Sequence, residues 1–320
     1  MKSRSTGFRV RTTPMWILLP LLLALSGCRS ARIAPTEAPP TLRDAVVSEY
    51  PLGFPIIDAH LHTQFEGMKL PLDLPLKKVE EFTDQLKRAG VVGGIAHTIF
   101  GDYAYQDMRG NGILHCGSVG KVVNVAAVEK GLKSGKYGCI KIYLGYIYRY
   151  AYDAAYEPIY KLAQHYDVPV VFHTGDTWDK KGMVKYADPL TIDEVAVRHP
   201  KVRFVIAHCG NPWINSAAEV IYKNDNVFGD LSAFMVGNMD EQPAEKVEEY
   251  AVKPMRWIFG WVDNPKKLLF GSDWPLSDIA AYARVVKRAI PEEHWKAVFH
   301  DNALAVFTRL KTSVVPHLPQ

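Results

Sequence analysis

The chain has 320 residues, 48% of them hydrophobic and 22% charged, with a formal net charge of +4 at pH 7. This balance excludes a disordered chain and a polytopic membrane protein, because apolar residues suffice for a core and charges recur throughout. The mild positive charge lies partly at the N-terminus and gives no case for nucleic-acid binding.

Residues 1–14 carry Lys2, Arg4, Arg9 and Arg11 and no acid. An apolar run follows from Met15 to Leu25, and then Ser26, Gly27 and Cys28. A basic start, a short apolar run and small residues at a cleavage point describe a secretory signal, too short for a spanning helix of ~20 residues. Leu25-Ser26-Gly27-Cys28 resembles the bacterial lipobox, whose cysteine is acylated and becomes the mature N-terminus. Residues 1–27 then read as a lipoprotein signal peptide. Residues 28–54, with Pro35, Pro39, Pro40 and Pro51 and no apolar period, read as an acylated tether. Arg29 after the cysteine favours the outer membrane, facing the periplasm or the surface. The folded part runs from 55 to 310, with a tail over 311–320.

The run 55–60 is the first expected strand, and 77–89 a helix with Val79, Phe82 and Leu86 on one side and Gly90 as its stop. Strands follow at 91–99, 121–128 and 137–144, with 101–120 read as a long loop replacing most of the second helix. A helix at 152–166, a strand at 168–173, a helix at 188–198 and strands at 202–208 and 226–231 come next. A helix at 244–259, a strand at 267–273 and helices at 278–288 and 292–310 close the chain. Alternation of this kind implies a mainly parallel α/β sheet, and near-continuous apolar strand runs imply burial on both faces. Roughly 265 residues in eight units fit one (β/α)₈ barrel, which needs ~250. No G-x-G-x-x-G follows the first strand, which weakens a dinucleotide-binding open sheet. Cys116, Cys139 and Cys209 show no metal or small-domain spacing. Cys139 and Cys209 are expected as buried small hydrophobes, with one disulfide as the minor alternative.

Polar residues recur at the C-terminal ends of four strand runs, the end where a barrel gathers its active-site loops. Asp58, His60 and His62 alternate on the first strand and so share a face. His173 ends the fifth run, His208 the sixth and Asp273 the eighth. Each alone reads as a hydrogen-bonded strand end or a helix cap. Together they supply imidazole and carboxylate ligands with open positions, which suit a catalytic Zn²⁺ or a similar first-row ion.

These motifs carry a resemblance. Asp58-x-His60-x-His62, His173-Thr174-Gly175-Asp176-Thr177, Ala207-His208-Cys209-Gly210-Asn211-Pro212-Trp213 and Phe270-Gly271-Ser272-Asp273-Trp274-Pro275 are similar to the amidohydrolase-related family. The branch resembled is the one containing aminocarboxymuconate semialdehyde decarboxylase-like enzymes. Further matches are 186–190, Asn226-Val227-Phe228-Gly229-Asp230-Leu231-Ser232 and 301–307. The resemblance implies one divalent ion on His60, His62, His173 and Asp273, with His208 assisting. In another branch a carbamylated lysine on the fourth strand bridges two metals. Lys141 lies on the expected fourth strand, so a binuclear site is the alternative to a lysine that pairs with a carboxylate or binds an acidic substrate.

The expected chemistry is hydrolysis of a small ester, lactone or amide by a water that the metal activates. Asp273 acts as ligand and proton shuttle, His208 as electrostatic catalyst, and Asp58 as an orienting group behind the ligands. The same residues could serve a decarboxylase, which also needs a cation for its substrate; Arg109, Lys141 and Arg149 are candidates. A ligand-binding lipoprotein without chemistry is the reading from another class. Trp178, Trp213 and Trp274 follow strand ends closely and could line an apolar pocket. The expected partners are a small-molecule substrate and the membrane through its anchor alone, with a homodimer left open. Mass spectrometry of the mature protein should find an acylated Cys28 at its N-terminus; an unmodified start elsewhere would exclude the anchor.

Overall fold

The structure is a computed structural model, and it describes residues 50–70, 73–99 and 105–313. The expected signal peptide, Cys28 and most of the expected tether lie outside the described residues. Eight strands run in sequence order through one sheet: β1 (Ile56–Leu61), β2 (Val91–His97), β3 (Ile113–Val119), β4 (Tyr137–Tyr143), β5 (Val170–His173), β6 (Phe204–Ile206), β7 (Val227–Asp230) and β8 (Leu268–Leu269). All seven successive pairings are parallel. The sheet closes between β1 and the chain after β8. Ala59 N–H donates to Phe270 O, Asp273 N–H to His60 O and His62 N–H to Trp274 O, each at 2.9 Å. The single-domain (β/α)₈ barrel expected from alternation is therefore the fold. No helix among the described residues is long and apolar enough to cross a membrane.

Strand parity sets the two cores. Ile57, Cys139, Val171, Val205 and Leu269 form an inner cluster, closed at the N-terminal end by Phe307 and Leu310. Ile140, Ile142, Phe172, Phe204 and Ile206 face the helices in the larger outer cluster. On β4 the inward residue Cys139 is followed two places on by Lys141 and then Tyr143, which share its face. On β5 Val171 likewise sets the face of His173. β1 departs from simple alternation. Ile57 and Ala59 belong to the inner cluster, and a register shift against β2 between Asp58 and Leu61 alters the parity beyond them. That irregularity re-aims His60 and His62 into the mouth, a common use of an extra strand residue beside a site.

The helices follow their local signals. Val79–Ala89 has Glu80 and Glu81 in its first turn, Lys87 and Arg88 in its last, and Gly90 in the left-handed conformation as its stop. Leu190–Arg198 covers the step from β5 to β6, and the segment from Ala244 to Val262 the step from β7 to β8. Four expectations are corrected. The run 121–128 is not a strand. Val125–Lys133 is a helix started by Asn124, whose side chain accepts from Ala127 N–H, and Val122 before it is 84% exposed. Its valines suggested β structure, but only Val128, Gly131 and Leu132 are buried, at helical spacing. The third strand instead ends the segment read as a loop, 101–120. No α-helix separates β2 from β3 among the described residues; a short 3₁₀ turn, Arg109–Asn111, stands there. Ile214–Lys223, unassigned from sequence, covers the step from β6 to β7. The tether does not stay free to residue 54, because Tyr50, Leu52 and Phe54 pack onto the barrel.

The fourth correction concerns the cysteines. Cys116 and Cys139 face each other across β3 and β4 with Cα atoms 4.4 Å apart and form a disulfide, while Cys209 is free and buried. Sequence spacing held no sign of this pairing, because parallel register rather than separation brings them together. The bridge should stabilise the barrel by about 3 kcal/mol, as expected for a closed loop of this length. Urea unfolding of Cys116→Ala/Cys139→Ala should show that loss; an unchanged midpoint would mean the bridge is not formed.

Candidate metal centre

The C-terminal mouth collects His60 from β1, His62 just after it, His97 from β2, His173 from β5, His208 after β6, Asp230 from β7 and Asp273 after β8. His60, His62 and Asp273 each place one ligand atom within 4.8 Å of the others, and His60, His208 and Asp230 form a second such group. Asp273 and His208 both have left-handed backbone, at φ 59 and φ 60. Such strain in non-glycine residues costs of order 1–3 kcal/mol each and gathers at functional sites.

Hydrogen bonds fix which imidazole nitrogens carry protons. His60 Nδ1 donates to Asp230 Oδ2 at 2.9 Å, and His62 Nδ1 donates to the His97 carbonyl at 2.8 Å. Both Nε2 atoms are then bare lone pairs. They face one carboxylate oxygen, Asp273 Oδ1, from 3.5 Å and 3.2 Å. Three acceptors converge with no proton between them, which is unfavourable unless a cation lies there. Nitrogen and oxygen donors in this arrangement fit a single divalent ion.

Asp230 organises the other side. Its Oδ1 accepts from His208 N–H at 3.0 Å, from Ser232 N–H at 3.1 Å and from the Ser232 hydroxyl. Because Ser232 gives its proton to Asp230, its oxygen accepts from His208 Nδ1 at 2.8 Å. His208 Nε2 is thereby bare as well, and lies 3.2 Å from His173 Nδ1. His173 Nε2 sits 2.9 Å from the Asp176 carbonyl. His173 therefore adjoins His208 and stands outside the tight group of His60, His62 and Asp273. Asp58 Oδ1 accepts from the backbone N–H groups of His60 and Ser272, both at 3.0 Å. It ties β1 to the segment after β8 and touches no imidazole ring. The ring partner is Asp230, a member of the Asn226–Ser232 motif for which the sequence alone suggests no role. The available signal was its place, an acid ending an apolar strand like the others.

Burial pushes the imidazoles down: His60 to about 4 and His208 to about 3, with His97 and His173 well below the ordinary value. Burial alone would push Asp230 up, but the donors from His60 and Ser232 outweigh it and keep it ionised. For Asp273 burial likewise opposes ionisation; a hydrogen bond from His62 and the positive charge of His60, His208 and His62 hold it ionised when those rings are protonated, and a cation does so when they are neutral. Burial raises Asp58 to about 7. Lys141 is fully buried, its Nζ has no hydrogen-bond partner, and burial lowers it to about 8. It is not among the residues lining the cleft, but its charge is near enough to act on His60, His97, His173 and His208 and on Asp230 and Asp273. Arg109 pairs with Asp107 at 2.6 Å, and Arg149 lies 3.9 Å from Asp153. Of the three tryptophans, Trp178 lines the cleft. Trp274 is buried against Phe65 and Phe82, and Trp213 precedes the helix Ile214–Lys223.

A family model described as amidohydrolase matches residues 57–309. No curated protein matches the chain. Solved structures similar to it include an uncharacterised TIM-barrel protein from Bordetella bronchiseptica, at 15% identity and TM-score 0.60, over 81% of this chain and 100% of that one. A probable 2-pyrone-4,6-dicarboxylic acid hydrolase from Acinetobacter baumannii, with citric acid bound, matches at 12% identity and TM-score 0.56, over 80% and 100%. A 5-carboxyvanillate decarboxylase from Novosphingobium aromaticivorans, with bound manganese, matches at 13% identity and TM-score 0.53, over 81% and 98%. Identities this low carry the fold and leave the chemistry to the site.

The shifted imidazoles make stability depend on pH. Between about 6.5 and 4 the unfolded chain binds protons at His60, His97, His115, His173 and His208 that the folded chain refuses, so stability falls on acidification. Asp58 acts oppositely over the range from about 7 to 3.8 and offsets one of the five. The urea midpoint of the metal-free chain should drop from pH 7 to pH 5; a flat profile would contradict these burials.

Proposed function

The chain belongs to the amidohydrolase family, and from that premise we propose that it is a metal-dependent hydrolase of a small ester, lactone or amide. The observation that carries the reading is the set of bare acceptors, His60 Nε2, His62 Nε2 and Asp273 Oδ1, facing one point beneath a cleft. These three would hold one divalent ion, Zn²⁺ foremost, with His173 joining them by releasing its bond to Asp176. A binuclear site with carbamylated Lys141 is the alternative that metal stoichiometry would reveal. The ion, when bound, supplies a Lewis acid that polarises a carbonyl and lowers the pKa of water.

The chain's own residues do the rest. Asp230 orients His60 through Nδ1 and so keeps Nε2 free as a ligand atom. Asp58 holds the backbone of His60 and Ser272 together and sets the spacing of β1 from Asp273. Asp273, ionised and lining the cleft, takes the proton of the attacking water and delivers it to the leaving group. His208 ends a relay from Asp230 through Ser232 with Nε2 bare towards the cleft. Protonated at Nε2 by the proton that Asp273 takes from the water, it stabilises negative charge on the substrate oxygen and returns that proton by way of Asp273 for the leaving group.

The same reading puts the protein in the cell envelope, anchored through Cys28, with the outer membrane ahead of the inner. The Cys116–Cys139 bridge supports an exported location, because disulfides persist in oxidising compartments. Asp273→Asn should abolish most ester cleavage and weaken metal retention. His208→Asn should keep the metal and lower kcat about 10²–10³-fold, the usual loss for one stabilising donor. Wild-type turnover by a metal-loaded His208→Asn protein would remove His208 from the mechanism.

A further inference from the structure

The cleft over the candidate metal centre is small. Its space is about 60 Å³, and a hollow of about 90 Å³, bounded in part by Asn211 and Val236, adjoins it. Ordinary ligand sites measure ~300–1,000 Å³, so each of these spaces suits a few waters and neither suits a whole ester or amide. Trp178, Tyr146 and Leu276 line both spaces, and both reach His173, His208 and Asp273. A wall shared by the two spaces decides what arrives at the ligands.

Of the three shared walls, Trp178 is the one free to turn. Tyr146 is buried and Leu276 half-buried, whereas Trp178 is 46% exposed. Its indole Nε1 donates to the Asp73 carbonyl at 2.9 Å, which carries the ring from the loop after β5 across to the segment after β1. The backbone beneath the ring is pinned separately. Trp178 N–H donates to the Tyr146 hydroxyl at 2.8 Å, and the Tyr148 hydroxyl donates to the Lys181 carbonyl at 2.7 Å. Asp176 N–H and Met183 N–H donate to the carbonyls of Asn211 and Gly145, both at 2.9 Å. Turning the indole outward about its side-chain bonds therefore breaks its bond to Asp73 and leaves the rest. Water replaces that bond at an exposed ring, so its net worth is small. Exposed side chains change rotamer in picoseconds to nanoseconds, fast against turnover.

We infer that the indole of Trp178 is a gate that sets the size of substrate the site admits. Bonded to Asp73, it closes the cleft to all but small solutes. Swung out, it joins cleft and hollow into one space over His60, His62 and Asp273. Trp178 takes no part in the chemistry; it selects acyl compounds by bulk rather than by charge. The limit on substrate size rests on the hydrolytic reading, whereas the gate does not.

The test puts a thiol inside the cleft of the detergent-solubilised full chain. Ile99 lines the cleft and is 2% exposed, so Ile99→Cys reports entry without metal or turnover. Cys209 is buried and Cys116 and Cys139 are bridged, and mass spectrometry of the peptide containing residue 99 follows the new thiol alone. Methyl methanethiosulfonate should modify it about two- to tenfold faster when Trp178→Phe removes the indole donor, the usual worth of one hydrogen bond. Trp178→Ala should be faster still, with circular dichroism confirming that the barrel persists in each variant. In the metal-loaded protein with Ile99 intact, Trp178→Ala should raise kcat/KM for 2-naphthyl acetate relative to phenyl acetate by about tenfold or more. Equal labelling rates in the three proteins would overturn the gate, and an unchanged ester ratio would overturn its control of size. Labelling rates in the expected order with neither ester cleaved would leave the gate standing and remove the hydrolytic reading.

Discussion

A barrel of eight parallel strands must join its last strand to its first, and here that seam also carries the candidate metal centre. The closing hydrogen bonds involve Ala59, His60 and His62 on one side and Phe270, Asp273 and Trp274 on the other. Asp58 adds a carboxylate that accepts from both sides at once. Gly271 permits the approach, since a side chain there would meet the Cβ of His60 at 2.8 Å. Closing the sheet and bringing His60, His62 and Asp273 together are one event. His60 sits on β1, and Asp273 is pinned to it by a backbone hydrogen bond, an arrangement that favours closely held ligand positions.

The electrostatic cost of the seam is large. Acceptor faces acceptor across the centre of the mouth, four imidazoles are held neutral by burial, and two aspartates remain ionised in the interior. A stable fold tolerates this because donors are distributed with care around the rim. Asp230 collects His60 Nδ1, His208 N–H and both donors of Ser232, and so sets two tautomers from one carboxylate. The left-handed backbone at Asp273 and His208 adds strain at the same places. Local rules are broken where function needs them and are kept elsewhere.

Much of this was legible in the sequence, for identifiable reasons. Polar residues that end buried apolar strands announce themselves, so His60, His62, His173, His208 and Asp273 all fall at the mouth. The β1 irregularity was not legible, because alternation predicts parity and an extra residue cancels it; the histidines point inward for a different reason than their spacing suggests. The third strand was displaced because Val122, Val123, Val125 and Val128 imitate a β run, while the true strand contains His115 and Gly117 and interrupts its own pattern. The disulfide and the Asp230–Ser232–His208 relay depend on neighbours far apart in sequence, which no local signal contains. The burial of Trp274 was likewise a matter of tertiary packing, since Phe65 and Phe82 come from other elements.

The account's central claim is that the seam of the barrel is a binding site for one catalytic divalent ion. Metal content per chain, measured by plasma mass spectrometry on the active full-length protein and on His60→Ala, tests it most directly. The account predicts one equivalent in the former, none retained in the latter, and barrel circular dichroism in both. Full activity in protein stripped of all divalent metal would contradict it.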